Sequence, residues 1–196
     1  MISSIVLAAG MSTRMGQPKA LLDWGGEPLI AYQVKQLREA GVDEVIVVLG
    51  HQADAIHRKM KGLPCRVMLN PRYHAGRAGS LRIGAKAVNR DAEAILVVSV
   101  DQPRPAALLR QLIDAHTPAA AATRLTCGTK HGHPVIVAGR LRTEMMSAQE
   151  ESEGLAGVLH AHAAELRDIP CDDLCRLDIN TPDDYEAARR RFGLIN

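Results

Sequence analysis

Short apolar runs alternate with longer amphipathic stretches along the chain, the pattern of parallel strands joined by crossover helices. Ser4–Leu7 reads as a first strand, followed by Glu44–Leu49, which is almost wholly apolar, as a strand covered on both faces should be. Arg66–Leu69 and Ala94–Ser99 read as the third and fourth strands. Helices are expected over Glu27–Ala40, with Leu29, Tyr32 and Leu37 on the apolar side and Gly41 as the stop, near Ala53–Lys61, and around Ser80–Val88. The second half is less regular. Pro105–His116, Leu155–His162 and Pro182–Arg191 read as helices, and Ala119–Thr123 and Leu166–Ile169 as strands. Thr126–His133 reads as a polar loop before an extended Pro134–Val137, and Gln149–Gly154 as a loop, not a domain boundary. The expectation is one α/β domain over residues 1–196, with a mostly parallel, doubly wound sheet and helices on both faces.

Composition narrows the partners. With 196 residues the chain is long enough for a single buried core, and its net charge is only +2 with 3% aromatic residues. A nucleic-acid surface wants clustered cations and stacking rings, so none is expected. The start, Met1-Ile2-Ser3-Ser4-Ile5-Val6, lacks the basic region and long apolar stretch of a signal peptide or membrane span, and a cytoplasmic location is expected. Cys65, Cys127, Cys171 and Cys175 are too scattered for a disulfide scaffold. Cys171 and Cys175 with His131 and His133 make a zinc reading, but structural zinc favours tighter pairs, so free thiols are expected. His51, His57, His160 and His162 read as solvated helix residues with no partner visible.

The densest chemistry lies in the run from Leu7 to Lys19. After Leu7, the small residues Ala8, Ala9 and Gly10 lead out of the first strand and let backbone N–H groups approach a ligand; Arg14 and Lys19 then meet its negative charge. This is not a Walker loop, because Lys19 sits between Pro18 and Ala20. Nor is it a dinucleotide fingerprint, since Gly10 and Gly16 are its only glycines, so a nicotinamide-dependent reductase is not expected. Ordinary strand–helix connections take about 2–6 residues, and this one is longer. Asp101 follows the fourth strand, and Gly76, Gly79 and Ser80 approach a helix start, where Ser80 reads either as the cap or as a partner for a base or ribose. Near the C-terminus, Thr181, Pro182, Asp183 and Asp184 are explained by helix capping, whereas Asp178 is not. Asp178 is either a turn former or, with Asp101, a source of oxygen ligands for Mg²⁺.

Taken together, Leu7–Lys19, Gly79-Ser80-Leu81-Arg82, Val100-Asp101-Gln102-Pro103, Gly132-His133-Pro134-Val135 and Leu177-Asp178-Ile179-Asn180-Thr181-Pro182 resemble the MobA-like nucleotidyltransferases, and within them the molybdenum cofactor cytidylyltransferase branch. The resemblance implies a Rossmann-like fold, Mg²⁺ dependence, and transfer of CMP from CTP to the terminal phosphate of molybdopterin with release of pyrophosphate. It implies CTP over GTP because Ala9 stands where the guanylyl branch carries a second glycine. In that scheme Arg14 and Lys19 hold the triphosphate and leaving group. Leu7, Ala8, Ala9 and Gly10 read the base, with Gly79 and Ser80 behind it; Asp101 and Asp178 hold Mg²⁺; and Gly132, His133 and Pro134 face the acceptor. Two departures stand out: Val100 replaces the glycine of the usual Gly-Asp-x-Pro motif, and Ser12 replaces a glycine usual in sugar-phosphate relatives. The alternatives are nucleotidyl transfer from GTP or another NTP to a different phosphorylated acceptor such as a sugar phosphate, and a non-catalytic factor delivering finished cofactor to a molybdoenzyme. Arg14, Lys19, Asp101 and Asp178 speak against the second, because a carrier needs no triphosphate clamp.

Overall fold

The computed structural model describes residues 1–150 and 154–195. Strands β1 (Ile2–Ala8), β2 (Glu44–Leu49), β3 (Arg66–Leu69) and β4 (Ala94–Ser99) pair in parallel in the order β3-β2-β1-β4. Strands β5 (Ala122–Cys127), β6 (Lys130–Ala138) and β7 (Leu166–Pro170) continue the sheet beyond β4 in the order β6-β5-β7. Only β6 runs against the others, being antiparallel to both β4 and β5. Seven α-helices complete the described residues: α1 (Leu29–Glu39), α2 (Ala53–Lys59), α3 (Arg77–Ala87), α4 (Ala106–Ala115), α5 (Arg142–Met146), α6 (Leu155–Ala161) and α7 (Pro182–Arg191). None is long and apolar enough to cross a membrane.

The continuous apolar strands are explained by the two faces they serve, because successive side chains point to opposite sides of a sheet. Val6 of β1, Val45 and Val47 of β2 and Leu96 of β4 pack with Ile30, Val34 and Leu37 of α1 and with Leu109 and Leu112 of α4. Ile5, Ile46, Val48, Ile95 and Val97 face the other way, onto Leu81 and Ala85 of α3 and Met145 of α5. Each such side chain contributes about 1.5–3 kcal/mol on burial. Close packing on the second face requires Gly84, whose added Cβ would lie 2.4 Å from Cγ2 of Ile5, a fully buried residue. Gly84→Ala is therefore expected to destabilise the fold. Overpacking costs about 1–3 kcal/mol against about 1 kcal/mol gained in helix propensity. The denaturation midpoint should fall, and an unchanged midpoint would show that Ile5 yields without cost.

Three sequence expectations are corrected. Helix α3 begins at Arg77, so Ser80 lies within its first turn and is not the cap. Its start is held instead by Glu150, whose carboxylate accepts from the amides of Arg77 (2.9 Å) and Ala78 (2.7 Å). Gly76 leaves room for that carboxylate: it has φ of 116°, and a Cβ there would fall 2.1 Å from Cδ of Glu150. The segment Thr126–His133 is not a loop but the end of a hairpin, closing β5 onto β6 around Gly128 at φ of 60°. Its polar residues extend beyond the stretch Val135–Ala138 that pairs with β4, so solvent reaches them. The strand expected at Ala119–Thr123 starts only at Ala122. Within Gln149–Gly154, residues 151–153 lie outside the described residues.

Candidate active site

The strand order reverses between β1 and β4, and in open α/β sheets ligands bind at the carboxyl ends of the strands beside such a point. The loop after β1 is drawn tight there. Ser12 takes a left-handed conformation (φ 53°, ψ 33°), its carbonyl accepts from the Met15 amide at 3.0 Å, and its Oγ accepts from the Lys19 amide at 3.2 Å. A non-glycine residue in this conformation is uncommon and clusters at functional sites. The tie delivers the Lys19 side chain across the ends of the strands, where Nζ lies 2.8 Å from Asp101 Oδ2 and 3.0 Å from Asn180 Oδ1. Arg14 Nη2 donates to the same Asn180 oxygen at 3.2 Å.

Asp101 is held from behind. The Val100 amide bonds the Leu7 carbonyl at 3.1 Å, and the buried Gln33 of α1 donates to the carbonyls of Ser99 and Val100, each at 3.1 Å. Burial pushes the Asp101 pKa up, but the charge and hydrogen bond of Lys19, with help from Ser99 and Arg77, outweigh it and leave the pKa below the ordinary value. Its second oxygen, Oδ1, is buried without a hydrogen-bond partner. An orphaned carboxylate oxygen is costly unless something positive meets it, so the site fits a hard divalent cation.

Asp178 is positioned differently. The Ile179 amide bonds the Asp101 carbonyl at 2.9 Å, which joins the two acidic segments. The Asp178 carboxylate accepts from Gln102 Nε2 at 2.7 Å and lines a separate hollow with Asp184 and Arg191. Asn180, two residues on, is the group that reaches Lys19; its amide is pinned at 3.0 Å by Asp184, part of the capping box that starts α7. Sequence reasoning missed Asn180, Gln33 and Arg104. Arg104 is fully buried and donates to four carbonyls: His133 (2.9 Å), Pro103 (2.9 Å), Leu177 (2.9 Å) and Cys175 (3.0 Å). The one available signal for it was a cation set between Pro103 and Pro105.

Two cavities open here. The first, of about 340 Å³, is lined by Leu7, Ala8, Ala9, Gly10, Lys19, Ser80 and Asp101, among others. Arg14, Gly79 and Asp178 do not line it. Ser80 is buried and its Oγ accepts from Asn70 Nδ2 at 2.9 Å. The second, of about 460 Å³, is lined by His133 and Gln102 but not by Gly132 or Pro134. Gly132 serves packing, since a Cβ there would lie 2.4 Å from Cys175 Sγ. The peptide between His133 and Pro134 is cis. Desolvation by the surrounding protein, reinforced by Arg104 and Arg77, pulls the His133 pKa below its ordinary value despite opposition from Asp178 and Asp101, leaving the ring neutral at pH 7.

All four cysteines are free thiols, and no cluster of three or more His, Cys, Asp or Glu arranged for a metal occurs among the described residues. His162 does have partners, Glu144 at 2.9 Å and Glu165 at 3.4 Å, and His51 lies outside α2, its Nδ1 3.4 Å from the Tyr73 hydroxyl.

A doubly wound sheet with two cations and a carboxylate at its switch point makes a candidate anion site where open α/β sheets bind their ligands. The chain belongs to the MobA-like NTP transferase domain family, which matches residues 4–166. It is similar to Nicotine blue oxidoreductase of Paenarthrobacter nicotinovorans, 27% identical over 99% of this chain and 96% of that protein. It is also similar to the bifunctional protein GlmU of Geobacter metallireducens, 32% identical over 85% of this chain but only 38% of GlmU. Among solved structures, Rv0371c of Mycobacterium tuberculosis has a TM-score of 0.84 at 29% identity, covering 96% of this chain and 97% of that one. A nucleotidyl transferase from Methanothermobacter thermautotrophicus likewise has a TM-score of 0.84, at 27% identity over 100% of this chain and 99% of that one.

Proposed function

We propose that this nucleotidyltransferase transfers CMP from CTP to the terminal phosphate of molybdopterin, with Mg²⁺ as cofactor and a molybdoenzyme as recipient of the product. The observation that carries the transferase reading is Lys19 held between Asp101 and Asn180 at the mouth of the first cavity, with Arg14 on the same asparagine. The choice of CTP and of molybdopterin rests on the sequence resemblance. A phosphate monoester has a second pKa of about 6, so the acceptor is largely a dianion at pH 7 and needs no general base. Neutral His133 accordingly serves as a hydrogen-bond partner and not as an acid. The difficulty is bringing two polyanions together, and preorganised charge meets it. Lys19 and Arg14 hold the triphosphate and the charge that grows on departing pyrophosphate. Asp101, through its unpartnered Oδ1, would hold Mg²⁺, with Asp178 of the adjoining segment as the second ligand once its carboxylate leaves Gln102, and the ion would supply positive charge that neutralises the phosphates. A related mycobacterial structure, the Rv0371c complex with manganese (TM-score 0.78, 28% identity, 95% of this chain and 96% of that one), supports a divalent-cation site.

The test is pyrophosphate release with each of the four NTPs, with and without molybdopterin, in Mg²⁺. The expected outcome is release with CTP and acceptor together, abolished by chelation. Preference for GTP, or for a sugar phosphate as acceptor, would replace this reading with the sugar-nucleotide one. Dye reduction without pyrophosphate would instead favour an activity of the kind named for the Paenarthrobacter relative.

A further inference from the structure

Two polar side chains are buried together beside the first cavity, Asn70 just after β3 and Ser80 in the first turn of α3. They are 2% and 4% exposed, and Asn70 Nδ2 donates to Ser80 Oγ at 2.9 Å. The orientation of that amide is set by the main chain, because Asn70 Oδ1 accepts from the Arg72 amide at 3.0 Å. A backbone N–H can only donate, so the side-chain oxygen faces Arg72 and the NH₂ faces Ser80. Ser80 Oγ is thereby an acceptor towards Asn70, and its own proton is left to donate elsewhere. A helical serine commonly returns that proton to the carbonyl four residues back, here Gly76. Among the described residues Ser80 makes no such bond. Ser80 lines the first cavity, whereas Asn70 does not; it lines a separate hollow with Gly50, Gln52 and Tyr73.

We infer that Asn70 is a positioning residue: it fixes the Ser80 hydroxyl as a hydrogen-bond donor towards the nucleobase and so sets which base the first cavity accepts. The inference rests on the reading of that cavity as the CTP site and adds the polarity of one contact, with the residue that imposes it. Cytosine turns two acceptors, O2 and N3, to one edge, whereas uracil carries an N3–H donor at that edge. A fixed donor pairs with the first and faces its like on the second, where one buried group goes unsatisfied. A hydroxyl free to turn would not discriminate, since serine both donates and accepts.

Calorimetric titration of the wild type with CTP, UTP, GTP and ATP, repeated on Asn70→Asp, Ser80→Ala and the double variant, tests this without requiring turnover. In Asn70→Asp the carboxylate accepts from both the Arg72 amide and the Ser80 hydroxyl, which makes Ser80 an acceptor towards the cavity. The added charge weakens every triphosphate, so the ratio of CTP to UTP affinity is the quantity that decides. The wild type is expected to favour CTP, and the ratio should fall about tenfold or more in Asn70→Asp. It should fall less in Ser80→Ala, and Asn70→Asp should change it no further once Ser80 is gone. Asn70→Ala adds no buried charge and gives a second reading, with a ratio between those of the wild type and Asn70→Asp. Equal affinity for CTP and UTP in the wild type, or a wild-type ratio in the Asn70 variants, overturns the assignment and puts Ser80 against a ribose hydroxyl or against no ligand group. A ratio that falls as far without Ser80 as with it also overturns it, since Asn70 then acts through the fold. A wild-type preference for GTP ends the CTP reading alone: Asn70 keeps its role if the order of the four nucleotides shifts in Asn70→Asp and loses it if the order stands. Binding of no nucleotide overturns both.

Discussion

Lys19→Ala is expected to lower kcat by about 10²–10³ in a chain that still folds, the loss typical of removing one preorganised charge from a transition state. Lys19 Nζ is the donor that spans Asp101 and Asn180, and its side chain is only 12% exposed, so water cannot take over its place cheaply. The same variant carries a pH signature. Burial alone pushes the Asp101 pKa up, and the Lys19 charge and hydrogen bond do most to bring it below the ordinary value. The folded pKa is depressed, so the ionised form is stabilised above the unfolded pKa, and that stabilisation is lost as pH falls through the folded value. Without Lys19 the Asp101 pKa rises, and the acid limb of the kcat/KM profile should move to higher pH. A pH series on wild type and variant reads both effects; wild-type turnover with an unmoved acid limb would take Lys19 out of the reaction.

The parts of the fold legible in sequence are those whose causes are local. Glu44–Leu49, Arg66–Leu69 and Ala94–Ser99 match the observed strands at both ends, because an apolar run bounded by polar or turn residues needs no distant partner to be recognised. Pro182–Arg191 matches because Thr181, Pro182 and Asp184 write the capping box into the chain itself. The start of α3 was not legible, since its cap comes from Glu150, 73 residues away from Arg77. The same holds in the site. Lys19 and Asp101 were visible as a cation in a small-residue loop and an acid at a strand end, and they meet at 2.8 Å. Asn180 was hidden by its surroundings, because capping already accounted for Thr181 to Asp184 and the unexplained charge drew attention to Asp178. Gln33 looked like one polar position on a helix, and only the folded chain shows it reaching the carbonyls behind Asp101.

Arg104 carries the largest expected effect on stability. It is fully buried, and its guanidinium ties the Pro103 turn, the His133 end of β6 and the Cys175–Leu177 segment through four carbonyls. Burial pulls its pKa down to about 10, opposed by Asp178, Cys175, Cys171 and Asp101, so it stays charged at pH 7. Arg104→Leu would leave those carbonyls buried and unpaired, at about 1–3 kcal/mol for each that finds no other donor. The expected loss is about 3–5 kcal/mol, a large share of the roughly 5–15 kcal/mol that holds a domain folded. Arg104→Lys keeps the charge but cannot address three segments at once, so it should fold with a smaller loss. Because the freed segments carry His133 as well as Asp178 and Asn180, the anchor of Lys19 and Arg14, that variant should raise the acceptor KM and weaken CTP together. Denaturation midpoints and the two binding constants together decide the matter: a wild-type midpoint in Arg104→Leu would mean that other donors reach these carbonyls, and a CTP affinity that stays at wild type while the acceptor KM rises would mean that Asn180 keeps its place without Arg104.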